Sequence, residues 1–205
     1  MSDTLDRFLR TDDLLHVAAD GQMLSPSSGR CPPAWVLLPG SFNPLHRGHW
    51  ELAQIAEQMI GEPAAFELSI VNVDKPNLTR DEIRRRLAQF NWQAAVWLTQ
   101  APKFVQKAER FPGAMFVVGA DTALRIVSPC YYQNDEPSML SALARIRELE
   151  CRFLVACRRD SRGQYLRKSD LPIPAAFQDL FAEVPPERFR WDVSSTELRT
   201  RNCVP

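Results

Sequence analysis

The chain has 205 residues, 45% of them hydrophobic and 24% charged, and its 25 basic and 25 acidic side chains cancel to a net charge of zero. That balance belongs to a folded globular chain of one ordinary domain with at most a short appendage, and it excludes an intrinsically disordered one. Without an excess of Lys and Arg there is no general field to grip a phosphate backbone, which turns the reading from nucleic acid towards small molecules.

Met1 to Arg10 is polar, its Asp3 and Asp6 coming ahead of Arg7 and Arg10, where a signal peptide needs a basic start and an apolar stretch, and no apolar run approaches a membrane span. A cytoplasmic protein without membrane contact is the expectation. Cys31, Cys130, Cys151, Cys157 and Cys203 are odd in number, scattered and without a C-x-x-C pair, so they read as reduced thiols and not as a zinc site. Cys151 and Cys157 bracket an apolar run and suit a core.

In chain order, residues 1–33 hold one weakly amphipathic stretch, Leu5 to Val17, and then small residues and prolines from Ser25 to Pro33. They read as an extension and linker ahead of one domain spanning 34–205. Trp35 to Leu38 predicts a short buried strand. Leu52, Ile55, Ala56, Met59 and Ile60 then recur with helical period on a segment that closes at Gly61. Ala65 to Val73 predicts a second strand, and Thr79 with Glu82 has capping-box spacing ahead of Ile83, Leu87 and Phe90. Ala95 to Leu98, Met115 to Val118 and Arg152 to Ala156 are further strands. Strands alternating with helices predict a doubly wound α/β fold, a parallel sheet with helices on both faces, whose ligands lie beyond the carboxyl ends of the strands.

The turn after the first of these strands reads Gly40-Ser41-Phe42-Asn43-Pro44-Leu45-His46-Arg47-Gly48-His49. A helix starting within or just after His46 to His49 offers unpaired N–H groups and a partial positive charge to an anion, and two imidazoles add donors there. Gly40 lets the backbone turn or approach a ligand closely. The phosphate cradles G-x-x-x-x-G-K-[ST] and G-x-G-x-x-G are both absent, which weakens kinase and dinucleotide-oxidoreductase readings. Near the other end stands Val193-Ser194-Ser195-Thr196-Glu197-Leu198-Arg199. Ser194 and Glu197 have the spacing of a good cap, while Ser195, Thr196 and Arg199 form a candidate second anion cradle.

Together these two motifs resemble the signatures of the HxGH nucleotidylyltransferase superfamily, most closely its nicotinamide mononucleotide adenylyltransferase branch, over about Trp35 to Arg201. The resemblance implies a Rossmann-like fold. His46, His49 and Arg199 become the catalytic phosphate ligands, and Gly40, Ser41, Phe42, Ser194, Ser195 and Thr196 the nucleotide-contacting segments. Gly119-Ala120-Asp121 resembles the family's G-[AS]-D segment, with Asp121 either on a ribose hydroxyl or capping a helix. Lys75 resembles a lysine near the phosphates. One of Arg84, Arg85 and Arg86 matches a nearby family arginine, unless the run is simply a solvated helix face. Trp97 and Thr99 are candidate acceptor-binding residues, because an aromatic face stacks well on a nicotinamide ring. Ser128 to Asp135 departs from the acceptor-binding patterns of the family.

The implied reaction moves AMP from ATP to a small phosphorylated acceptor, nicotinamide mononucleotide first, with release of pyrophosphate. Mg2+ is expected on the ATP phosphates, and no protein metal site is. Phosphopantetheine or a phosphoalcohol are alternative acceptors. A nucleotide-binding module without turnover is the alternative from another class, and a homo-oligomer is compatible with the sequence. An aminoacyl-tRNA synthetase shares an H-x-G-H-type motif, but this chain lacks room for an anticodon domain.

Overall fold

The computed structural model of the protein describes residues 2–11, 14–26, 33–71, 76–91, 93–159 and 165–189. In chain order its elements begin with α1 (Ser2–Arg10), β1 (Leu15–Val17), β2 (Met23–Leu24), β3 (Val36–Pro39), α2 (Arg47–Ile60), β4 (Ala64–Ser69), α3 (Arg80–Leu87) and β5 (Val96–Thr99). They continue with α4 (Phe104–Arg110), β6 (Met115–Gly119), α5 (Ala120–Ile126), α6 (Glu136–Glu148), β7 (Arg152–Ala156), β8 (Arg158–Arg159), β9 (Tyr165–Leu166) and β10 (Phe181–Glu183).

The central strands are short, mainly apolar runs without alternation, because both faces of the sheet are covered, Glu67 and Thr99 being buried exceptions. Eight strands form one sheet in the order β10-β7-β6-β3-β4-β5-β1-β2. The pairs from β10 through β5 are parallel. Their order reverses between β3 and β6, which is the Rossmann-like doubly wound arrangement and places a ligand crevice at that point. One core layer joins Leu38, Phe66, Leu68 and Leu98 to Leu52 and Ala56 of α2 and Ile83 of α3. The opposite layer joins Leu37, Phe116 and Phe153 to Ala108 of α4, Ala123 of α5 and Leu143 of α6.

The local signals act as expected at several ends. Helix α2 stops at Gly61 in the left-handed conformation, whose N–H donates to the Glu57 carbonyl. Thr79 caps α3 by accepting from the Glu82 N–H at 3.3 Å. Trp35 lies just ahead of β3 and is exposed, so the buried strand starts one residue later than the apolar run. Cys130, Cys151 and Cys157 are free thiols, the last two buried.

The segment ahead of residue 33 joins the sheet. Strand β1 runs antiparallel to β5, and β2 antiparallel to β1. Leu5 and Phe8 of α1 are buried in the same layer as α2 and α3. The Gln100 amide donates to the carbonyls of Phe8 and Thr11 at the end of α1, and Arg80 pairs with Asp6. The bond to Phe8 satisfies one carbonyl of α1's last turn, and β1 covers what would otherwise be the unpaired edge of β5.

His16 of β1 points to the opposite face, 4% exposed, with its ring 4.9 Å from that of Trp97 and no hydrogen bond at either nitrogen. Burial pushes its imidazole below the ordinary 6.5, so the folded chain holds it neutral after the unfolded chain has begun to take up a proton. The unfolded state then binds more protons, and stability present above pH 6.5 is lost as the pH falls below it. Urea midpoints at several pH values should show this loss, by up to ~1.4 kcal/mol per pH unit from this one group. His16→Leu should remove that component, and an unchanged pH slope in the variant would contradict the assignment.

Candidate functional site

The chain leaves β3 through Gly40 and Ser41 and enters α2 at His46, the N-cap, whose backbone is extended (φ −145°, ψ 168°). Three features fix this passage. The Gly40 N–H donates to the Glu67 carbonyl at 2.9 Å, which continues the β3–β4 ladder into the turn. Phe42 then adopts a positive φ of 45° and buries its ring completely, with edge contacts to Phe66 and Phe90. That ring lies over Gly40, where a Cβ would stand only 2.6 Å from Phe42 Cε1, so glycine is required by the chain's own aromatic ring.

Helix α3 supplies the third feature. Arg86 is buried and donates to the Ser41 carbonyl at 2.8 Å, while Arg85 donates to Asn43 Oδ1 at 2.7 Å. Gln89 accepts from the Leu45 N–H and donates to the Phe42 carbonyl, each at 2.8 Å. Arg84 faces outward, 3.8 Å from Asp81. The arginine run is thus divided, one member solvated and two holding the turn. Glu82 orders both, and Arg85 foremost, with Arg86, holds its carboxyl down to about 2. It stays ionised at any ordinary pH.

His46 and His49 stand together at the start of α2, their rings stacked at 3.8 Å and 28°. The His46 backbone N–H donates to His49 Nδ1 at 3.2 Å. An Nδ1 that accepts leaves the proton of the neutral ring on Nε2, where it is a donor. Phe42 braces the same ring edge-on at 5.1 Å. Imidazole donors and the positive end of a 14-residue helix therefore share one place.

Beside the turn, at the carboxyl ends of β3 and β4, lies a cavity of about 340 Å3. Pro39, Gly40 and Ser41 form one wall, Glu67 and Ser69 another, Lys103, Phe104 and Lys107 a third, and Thr122, Arg125, Tyr131 and Tyr132 the last. Tyr131 and Tyr132 belong to the segment whose sequence departs from the family pattern. Arg125 lies 5.5 Å from the Tyr131 ring centre, and the Tyr132 hydroxyl donates to the Ile126 carbonyl at 3.0 Å. At the bottom, Lys107 Nζ donates to both oxygens of Glu67 at 2.7 and 2.8 Å, and the Thr99 hydroxyl donates to the first. All three residues are buried. The cavity offers cations, aromatic faces and few other charges, a lining suited to an anionic molecule with a ring or chain attached.

Gly119 ends β6 and is the N-cap of α5, while Asp121 sits in that helix's first turn, so glycine and not aspartate takes the capping position. Thr99 reaches the cavity floor through Glu67. Trp97 does not come to the cavity: it is buried between His16 and Phe111. Lys75, Ser194, Ser195, Thr196 and Arg199 lie outside the described residues. Sequence reasoning missed Gln89, Glu67 and Lys107. The signal for Glu67 was a carboxylate inside an apolar strand, which must find a partner when buried.

A family model described as cytidylyltransferase-like matches residues 37–201, which includes both motifs and every wall of the cavity. No curated protein matched the chain. Among the described residues no helix is long and apolar enough to cross a membrane.

Gly40→Ala should destabilise the fold by about 1–3 kcal/mol, because the Phe42 ring has no room to yield. Ser41→Ala, at an exposed side chain, should stay within about 0.5 kcal/mol of the parent. Denaturant titration of the two variants reads the contrast, and equal stabilities would refute the packing account.

Proposed function

The chain belongs to the cytidylyltransferase-like family of nucleotidyltransferases, and from that premise we propose that it transfers the AMP part of ATP to a small phosphorylated acceptor, nicotinamide mononucleotide foremost. The observation that carries this reading is the stacked pair His46 and His49 at the start of α2, joined by the Gly40–Ser41 turn to a cation-lined cavity. The turn separates two kinds of site. The helix end suits the phosphates of the nucleotide, and the cavity suits the acceptor.

An acceptor phosphate has its second pKa near about 6 and is mostly dianionic at neutral pH, so it needs no general base. One of its oxygens bonds to the α-phosphorus. The bond from that phosphorus to the bridging oxygen breaks, and pyrophosphate departs with the electron pair. Catalysis then consists of in-line positioning and neutralisation of charge on the α-phosphate and leaving group. His46 and His49 supply donors from the α2 side, and by resemblance Lys75, Ser194, Ser195, Thr196 and Arg199 supply them from the other. Gly119 and Asp121, at the strand next to β3, are assigned to the ribose side of the nucleotide.

Among the described residues no cluster of three or more His, Cys, Asp or Glu could cage a metal. Mg2+ would be held by triphosphate oxygens and water, partly neutralising the charge that leaves with pyrophosphate.

Pyrophosphate release with ATP or CTP, Mg2+ and a panel of nicotinamide mononucleotide, phosphopantetheine and phosphocholine tests the reading. Release with ATP and the mononucleotide is the expected result, and silence across the panel would leave a binding module instead. His49→Ala should lower kcat by about 10²-fold or more with the fold intact. Arg199→Ala should weaken ATP or pyrophosphate handling, and calorimetry showing unchanged ATP affinity alongside normal turnover would remove it from the site.

A further inference from the structure

The ion pair under the cavity is expensive for the fold. Glu67 sits in the middle of β4 and Lys107 on α4, both buried, and their pairing takes two charges out of water. Apolar side chains of similar volume commonly serve stability as well or better at such a place. The pair also exceeds what packing needs, since Glu67 is held three ways, by two bonds from Lys107 and one from Thr99.

Its position is informative. The backbone of Glu67 accepts from Gly40, so the pair lies immediately beside the turn that forms one wall of the cavity. Both side chains line the cavity. An ammonium carries three N–H donors, and two of those on Lys107 are directed to the Glu67 carboxylate, which leaves one for a group in the cavity. The carboxylate fixes the direction of that donor, which a lysine on its flexible stem would not hold unaided.

We infer that Lys107 is the residue that binds the acceptor's phosphate and that Glu67 is its positioning residue. This rests on the proposed transfer reaction only for the identity of the acceptor; the phosphate site itself follows from the cavity. Lys103 and Arg125 on the remaining walls contribute field, and the Glu67–Lys107 pair, being neutral as a unit, contributes direction.

The double substitution Glu67→Leu with Lys107→Met leaves the cavity's net charge unchanged and removes the aimed donor. A merely structural pair predicts that this variant recovers both thermal stability and activity. The positioning role predicts stability near the parent, KM for the acceptor raised about tenfold or more, as for loss of a charged hydrogen bond, and KM for ATP within about twofold. Glu67→Gln, which keeps one oxygen for Lys107, should fall between. An acceptor KM equal to the parent's in the folded double variant overturns the inference.

A measurement on the unsubstituted protein covers the case in which the double variant does not fold. With isotope-labelled lysine, the Lys107 ε-methylene NMR signal should move on addition of ribose 5-phosphate and stay still with ribose. A Lys107 signal that saturating ribose 5-phosphate leaves in place overturns the inference. If Lys107 responds while no acceptor supports pyrophosphate release, the phosphate site stands and the transfer reading fails. If release is vigorous and Lys107 is silent, the site fails alone.

Discussion

The Phe42 ring, buried against Phe66 and Phe90 and lying over Gly40, decides how the chain passes from the central strand to its helix. Aromatic edges in contact are worth about 0.5–1.5 kcal/mol each beyond their burial, and here they hold a residue in the left-handed region that a phenylalanine avoids on its own. The polar side of the same passage is equally determined. Arg86 and Gln89 take up the carbonyls of Ser41 and Phe42, and Gln89 also receives the Leu45 N–H. Backbone groups in a loop this close to the core need such partners. With them the loop becomes rigid enough to set the bearing of His46 and His49.

Rigidity at that point assigns different work to neighbouring parts. Helix α2 contributes its own N-terminus and two imidazoles, and α3 contributes none of its arginines directly but spends two of them on the turn. The cavity lies on the other core layer's side of the sheet edge, with walls from α4 and α5. The imidazoles at the start of α2 and the cations of the cavity wall thus stand on two sides of one turn, Gly40 and Ser41, which fixes their spacing.

Much of the fold was legible because periodicity is a strong signal where burial is simple. Arg152–Ala156 is the strand its apolar run suggests, and of the stripe on α2 Leu52 and Ala56 are buried, Ile55 and Met59 are half-buried against the same core, and Ile60 at the helix end is exposed. The N-terminal strands were not legible, being three and two residues long and carrying a histidine on the buried face. Their pairing is set by β5, far along the chain, and not by their own pattern. The site divides in the same way. Gly40, His46 and His49 announce themselves by motif, whereas Arg84, Arg85 and Arg86 look alike in sequence and part company because successive residues on a helix point in different directions. Trp97 was an attractive partner for an aromatic ring, but a residue in the interior of a central strand packs against the layer above it.

The hairpin at the start of the chain has a consequence for how the molecule is made. Residue 16 pairs with residue 97, and α1 is closed off by the amide of Gln100. During synthesis, which runs at about 5–20 residues per second, this segment leaves the ribosome well before β5 and must wait for its partners to emerge. Its apolar side chains, Leu5, Phe8, Leu15 and Val17, are meanwhile without a core. This segment, made before its partners, is therefore among the last to lock, and it seals the edge of β5 only once the strands between have already assembled.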